Sequence, residues 1–412
     1  MSAMPMKEPQ ILSRDQIIVP ASNQNYMEVR HLVLQGSNRE IGFALGNYAR
    51  NRLGVAKLGS YREPIYGRAR QEYLKHNFPS LLQRSIGVAD AFGLDEGETR
   101  YDTTSLLFDF GAFGCSAIFF PPNLTANGHP LVARNLDFYI VSAREMVTGK
   151  SSPNEPNIFS RSFIAEFYPE SEFASLQTTG PDFLNFPFDG VNEHGLFSTV
   201  LVDQQGPGEA DPFTGGRDSG LSGMQVVALL MNKCKTVEEA KTVLLQNKIY
   251  MPFEAMHWLV ADAHGLSTIF EIDGKSGQYY FIDGMPGKPQ VITNHAVHCY
   301  PRVDTFSSVE SEATYNTFTR YCLLIDLISG HSGKFSTEDC FNIMSKVYGR
   351  AQDAEEVGAK SPFPMRTLWT LVADIAERKI SIKYFLRDDP ATEGQDDLKL
   401  EMTDPFTVRL PA

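Results

Sequence analysis

Apolar positions along this 412-residue chain follow a helical spacing in the first third and a strand-like spacing afterwards. After His31-Leu32-Val33-Leu34, residues 37–58 set Ile41, Leu45 and Tyr48 at three- and four-residue intervals, and residues 61–86 continue in that style. Helices are predicted there, with only local strand signals between them. From Cys115 the chain changes to short β-branched and aromatic runs divided by turn residues, over 116–120, 131–139, 163–168, 197–202, 258–261, 267–272, 278–282 and 290–293. Such spacing predicts antiparallel sheet. Residues 221–231 and 236–246 return to helical periodicity, the second opening on Thr236 and Glu239 as a capping box. Further helices are predicted over 315–328 and from Ser336, before a last strand pair, 367–375 and 380–385. Helical blocks flanking runs of antiparallel strands predict an α+β architecture of stacked sheets covered outside by helices. The Gly-, Pro- and Asp-rich stretch 206–223 reads as a long surface loop, placed either to border a site or simply to connect two elements.

Charge narrows the class of partner. The net charge of -13 is spread along the chain, which argues against a nucleic-acid or anionic-membrane surface. No stretch reaches the roughly 18 apolar residues of a membrane span, and the start MSAMPMKEPQ lacks the apolar region of a signal peptide. The expected compartment is therefore cytoplasmic. The five cysteines (Cys115, Cys234, Cys299, Cys322, Cys340) have no paired spacing, so neither a disulfide framework nor a CxxC zinc site is expected. His295, His298 and Cys299 form an HxxHC run without a second pair, and no metal is assigned to them. GxxxxGK[ST], HExxH and GxSxG are missing, since Gly220-Leu221-Ser222-Gly223 is one residue short of the last; no cofactor is implied.

The informative run begins at Phe113-Gly114-Cys115-Ser116 and continues to Arg134-Asn135-Leu136-Asp137. It reads as strand, turn, strand, so that cross-strand pairing can bring Arg134 and Asp137 to Cys115. A cysteine followed by a basic and an acidic residue suits an N-terminal nucleophile, in which the thiol attacks, a free α-amine serves as base and an acid orients that amine.

Cys115 followed by Arg134-Asn135-Leu136-Asp137 resembles the signature of the N-terminal-nucleophile (Ntn) linear-amide hydrolases of the choloylglycine hydrolase and penicillin V acylase group, together with the acyl-coenzyme A:6-aminopenicillanate acyltransferase and acid ceramidase branches. Four more matches follow in the same order. Asp189-Gly190-Val191-Asn192-Glu193-His194-Gly195-Leu196 resembles D-G-x-N-E-x-G-L, and His257-Trp258-Leu259-Val260-Ala261-Asp262 resembles an H-W-x-x-x-D strand. Val291-Ile292-Thr293-Asn294 resembles the T-N segment, and Phe318-Thr319-Arg320-Tyr321 a late arginine. The 114 residues before Cys115 resemble the layout of the acyltransferase and ceramidase branches, where a precursor cuts itself. Residues 36–46 are similar to the G-x-x-x-E-x-G-x-x-x-G helix start of that region.

The resemblance implies an αββα four-layer sandwich of two antiparallel sheets flanked by helices. It divides the chain into a mostly helical segment 1–114, cut at Gly114-Cys115 but remaining associated, and a catalytic segment 115–412. Cys115 is then both the autoprocessing residue and the nucleophile. Asp137 would orient the α-amine, Arg134 and Arg320 would favour the thiolate, and Asn294 and the Val202 backbone N–H would bind the oxyanion. Asn192 reads as a turn-former beside the site. An apolar acyl pocket is expected from aromatics such as Phe119, Phe138, Phe183, Phe186, Phe188 and Trp258.

The implied activity is hydrolysis of a small N-acyl amide through a thioester. Acyl transfer from coenzyme A or an amide to an amine is the alternative, and an inactive relative kept for binding is the second. Implied partners are the small-molecule substrate and the chain's own cleaved N-terminal segment, and homo-oligomers are common in the bile-salt branch.

Overall fold

A computed structural model describes residues 11–52, 63–95, 98, 115–150, 155–180, 187–203, 218–251, 255–306, 316–350, 363–392 and 398–411. In chain order its elements begin with β1 (Leu12–Val19), β2 (Val29–Gly36), α1 (Asn38–Arg52), α2 (Pro64–Asn77) and α3 (Pro79–Ala91). There follow β3 (Cys115–Phe120), β4 (Leu131–Tyr139), α4 (Ala143–Thr148), β5 (Phe163–Pro169), β6 (Ser175–Thr179), β7 (Asp189–Asn192) and β8 (Leu196–Val202). Next are β9 (Leu221–Ser222), α5 (Val226–Lys233), α6 (Val237–Leu245), β10 (Ile249–Tyr250), β11 (Met256–Asp262), β12 (Ser267–Ile272), β13 (Tyr279–Asp283) and β14 (Gln290–Ile292). The chain closes with α7 (Thr317–Gly330), α8 (Thr337–Ser345), β15 (Met365–Asp374), β16 (Lys379–Asp388), β17 (Leu400–Met402) and β18 (Phe406–Arg409).

These strands form two large sheets. The first runs β1-β2-β5-β6-β7-β8-β11-β12-β13, the second β14-β3-β4-β15-β16-β17 with β18 also on β16. Both are antiparallel except where β2 lies parallel to β5, with Leu32 opposite Ala165. A parallel neighbour requires a long crossover, and the whole chain from α1 to α4 supplies it. The described part of the segment before Cys115 is therefore not helical throughout: it contributes two strands to the first sheet.

The inward faces of the two sheets share one core, in which Phe119, Phe138, Phe188, Trp258 and Trp369 are buried. Outside the first sheet, Ile41, Leu45 and Val88 of α1 and α3 pack on Leu32, Leu34, Phe163 and Phe167. On the same side Glu172 accepts from Asn38 of α1, Ser80 of α3 and Asn232 of α5, which ties the helices together. Outside the second sheet, Leu324 and Phe341 of α7 and α8 cover Ile118, Ala133 and Val372. The result is an αββα sandwich. Among the described residues, no helix is long and apolar enough to cross a membrane.

The helix pair α1 and α3 explains the glycines at 42 and 87. A Cβ on Gly42 would lie 2.0 Å from the Arg84 carbonyl oxygen, and one on Gly87 would lie 2.0 Å from the Arg39 carbonyl oxygen. Only hydrogen fits between these backbones. At residues 221–225 the expected helix is instead β9 and a 3-10 turn, because Leu221 pairs with Ile249 before α5 begins.

Candidate active site

Cys115 opens β3, and its partner across the ladder is Leu136 of β4. Side chains alternate along a strand, so Arg134 shares the inward face with Cys115, while Ser116, Asn135 and Asp137 point toward the outer helices. The contacts follow that division. Arg134 Nη2 donates to Cys115 Sγ at 3.4 Å from within the sandwich. From outside, Arg320 of α7 donates to the Cys115 carbonyl oxygen and, at 2.7 Å, to Ser116 Oγ. Cys115 is thus flanked by one guanidinium at its sulfur and another at its backbone.

The nitrogen of Cys115 donates to Asn294 Oδ1 at 2.7 Å. Arg320 Nη2 donates to the same oxygen at 2.7 Å, and Asn294 Nδ2 donates to the Val202 carbonyl at 2.7 Å. Among the described residues, one hydrogen of that amide remains for another acceptor. Asn294 is itself held at its backbone, where its N–H donates to Thr317 Oγ1 at 2.7 Å. Just past β8, Asp203 N–H turns to the carbonyl of Ala255, which precedes β11, and within β8 Val200 N–H turns to Phe188 on the other side. Alternation therefore aims the Val202 N–H away from β11, on the side of its own carbonyl and of Asn294.

Asp137 is expected to orient an α-amine, a group that the uncut chain lacks. Three residues beyond Arg134 on a strand, it projects from the opposite face, where the Thr367 hydroxyl donates to its Oδ1. Thr367 Oγ1 also accepts from Gly349 N at 2.8 Å, and a Cβ on Gly349 would come within 3.2 Å of the Asp137 carboxyl carbon. Burial pushes the Asp137 carboxyl above its ordinary value, against the pull of Arg320, Thr367 and Arg134. Asn294, rather than Asp137, receives the Cys115 nitrogen. Asn192 is engaged in shaping the chain: Nδ2 donates to Met231 and Cys234 carbonyls, and Oδ1 accepts from His194 and Leu196 N–H groups. Gly114, Phe183 and Phe186 lie outside the described residues, as do residues 206–217 of the expected loop.

Sequence reading gave no role to Asp189, which opens the DGVN motif. Its carboxylate lies 3.2 Å from Arg134 Nε and accepts from Thr178 and Thr199 hydroxyls and the Trp369 indole N–H. The Arg134 approach is an electrostatic contact without hydrogen-bond alignment, which leaves Nε and Nη1 as unused donors among the described residues. The Arg134 guanidinium also lies over the rings of Phe188 and Trp369, at 5.9 and 5.7 Å. The first of these rings belongs to an edge-to-face set with Phe159 and Phe138. Phe138 and Phe188, offered above as pocket residues, thus pack the core under the arginine, as Phe119 and Trp258 do elsewhere in it.

Burial dominates the electrostatics at the sulfur. It pushes the Cys115 thiol up to about 11, although Arg134 and Arg320 pull it back. Two arginines alone therefore do not yield a thiolate at neutral pH. The thiol requires a proton acceptor at hand.

No protein-family model matches the chain, and no curated protein matches it in sequence. Solved structures similar to it include a mutant of conjugated bile acid hydrolase from Clostridium perfringens, at 15% identity over 70% of this chain and 96% of that one, with a TM-score of 0.44. A second variant of that enzyme matches at 14% identity over 72% and 97% of the two chains, TM-score 0.44. Penicillin V acylase from Agrobacterium tumefaciens matches at 17% identity over 66% of this chain and 82% of that one, TM-score 0.39. The sequence motifs resemble those of the group that holds these two kinds of enzyme.

Proposed function

We propose that the chain is an autoproteolytically activated cysteine hydrolase that cleaves the linear amide bond of a small N-acyl substrate. The observation that carries this reading is the setting of Cys115: nitrogen on Asn294 Oδ1 at 2.7 Å, sulfur under Arg134 at 3.4 Å. In the uncut chain that nitrogen is a peptide amide and cannot take the thiol proton. Attack of the thiol on the Gly114 carbonyl gives a thioester and a free α-amine, and water releases the upstream segment. The amine then accepts the thiol proton as sulfur attacks the substrate acyl carbon, and passes it to the departing amine. Water resolves the second thioester. Arg134, with spare donors, and Asn294, with one unused amide hydrogen, are suited to the negative charge that develops on the acyl oxygen. The Val202 N–H is the remaining candidate donor, and loss of one such donor costs about 3 kcal/mol.

Intact-mass measurement tests the first half: wild type should give a fragment ending at Gly114 and one starting at Cys115, and Cys115→Ala should stay whole. A panel of N-acyl amides with varied chain length and head group tests the second, free acid marking hydrolysis and new amide in excess amine marking acyl transfer. Wild type that stays whole, or a Cys115→Ala protein that still hydrolyses, would sink the reading.

A further inference from the structure

A buried charge cluster stands directly behind Asn294. His257 of β11 sets Nδ1 3.0 Å from Glu271 Oε1 and Nε2 2.8 Å from the Thr293 carbonyl oxygen. A carbonyl only accepts, so Nε2 carries a proton. Glu271 Oε1 also accepts from Val297 N at 2.8 Å, and Oε2 from His298 N at 2.9 Å, with His298 Nδ1 at 2.7 Å. Both oxygens accept from backbone N–H groups, which favours the ionised carboxylate and places the proton of the Oε1–Nδ1 bond on Nδ1. Nδ1 must then donate as well, and the ring is an imidazolium. Asp203, which follows Val202, brings a carboxylate oxygen within 4.8 Å of the His257 and Glu271 atoms. Both ring nitrogens are taken, so the cluster is a hydrogen-bonded one rather than a cage for a cation.

The position of the cluster gives it a role. Thr293 immediately precedes Asn294, and Asp203 immediately follows the residue whose carbonyl Asn294 Nδ2 grips. We propose that His257, kept as an imidazolium by Glu271, is a positioning residue for the reaction at Cys115, clamping the Thr293 carbonyl and through it the Asn294 amide. This rests on the reading of Cys115 as the nucleophile. The charged groups at the ring are Asp203 beyond β8 and Glu271 of β12; His295 and His298 from the segment after β14 stand around Glu271, with Asp273 at His298 and Arg320 of α7 acting on His295. Burial opposes the charge, but Asp203, Glu271 and the Thr293 carbonyl outweigh it and raise the His257 pKa above the ordinary 6.5. His295, pushed down to about 3, stays neutral. Deprotonation of His257 as pH rises either takes the Nε2 proton from the Thr293 carbonyl or sets an Nδ1 lone pair against the Glu271 carboxylate, and both outcomes loosen the clamp.

The expected result is a kcat that falls on the alkaline side while KM holds. Glu271→Gln should move that limb to lower pH and lower kcat by about tenfold or more, since small misplacements of a positioned group carry such factors. His257→Gln, which keeps an N–H for Thr293 but no charge, should lose the limb altogether. In the full-length Cys115→Ala chain with 15N-labelled His and Asn, two bonded ring N–H signals should be seen for His257. The Asn294 side-chain amide should shift as that ring titrates. A single ring proton, an unresponsive Asn294, or an unchanged pH limb in Glu271→Gln would overturn the proposal. A wild type that hydrolyses no amide yet shows both ring protons and a responsive Asn294 would overturn the reading of Cys115 and leave the clamp standing.

Discussion

Arg134 of the second sheet and Asp189 of the first form an ion pair across the sandwich, 3.2 Å apart with both side chains wholly buried. The same guanidinium touches the Cys115 sulfur, so the charge aimed at the nucleophile is balanced by a carboxylate from the opposite layer. Asp189→Asn should leave that buried cation uncompensated and cost about 3–5 kcal/mol of stability. Urea midpoints for wild type and variant would measure this, and a loss below about 1 kcal/mol would mean that the pair does little for the fold.

The hydroxyl of Thr367 donates to Asp137 Oδ1. Thr367→Val keeps the shape of the side chain and removes the donor, leaving a buried carboxylate one hydrogen bond short. A destabilisation of about 1–3 kcal/mol is expected. If Asp137 orients the new α-amine after cleavage, turnover should fall in the same variant. Equal stability and equal turnover would show that the hydroxyl is a bystander.

Replacing Gly42 or Gly87 by alanine drives a methyl into backbone 2.0 Å away. The two helices must then separate, at a cost of about 1–3 kcal/mol or more. Thermal unfolding of the two single variants and the double one would check this; because both sit in one contact, the double should cost less than the two singles together.

The His257 and Glu271 pair predicts a bell-shaped contribution to stability. Burial works to raise the Glu271 pKa, but hydrogen bonds from His257 and His298 prevail and hold it at about 2, below the ordinary 4.5. Its stabilisation is present above 4.5 and lost as pH falls toward 2. His257, raised above 6.5, contributes fully below 6.5 and loses its contribution as pH rises through the raised value. The stability gap between wild type and Glu271→Gln should therefore be widest between 4.5 and 6.5 and narrow on both sides. A gap independent of pH would contradict the charge assignment.

Strand signals were legible where apolar, β-branched and aromatic residues dominate a run: Leu131–Tyr139 and Ser267–Ile272 are strands over the residues expected. Asp189–Asn192 was missed, because Asp, Gly and Asn read locally as a turn, whereas β6 and β8 on either side hold DGVN extended. The parallel partner of β2, β5, lies beyond four helices and a hairpin, out of reach of any local pattern. At the site, ordered motifs pointed to Cys115, Arg134, Asn294 and Arg320, which the fold gathers. The separation of Arg134 from Asp137 was readable too, since an odd spacing on a strand puts two side chains on opposite faces. What no motif carried was the cross-layer partnership of Arg134 with Asp189, which exists only once the two sheets are stacked.

The parallel join of β2 to β5 bears on what a cut before Cys115 would leave behind. β1 and β2 would still be laced into the first sheet by backbone hydrogen bonds, so a nick in the chain need not loosen the body. Stripping the upstream piece away would uncover the flank of β5, a row of unpaired amides and carbonyls beside apolar side chains, and such open margins recruit other chains. The downstream piece produced on its own should accordingly clump, and mixing in the upstream piece during refolding should keep it in solution.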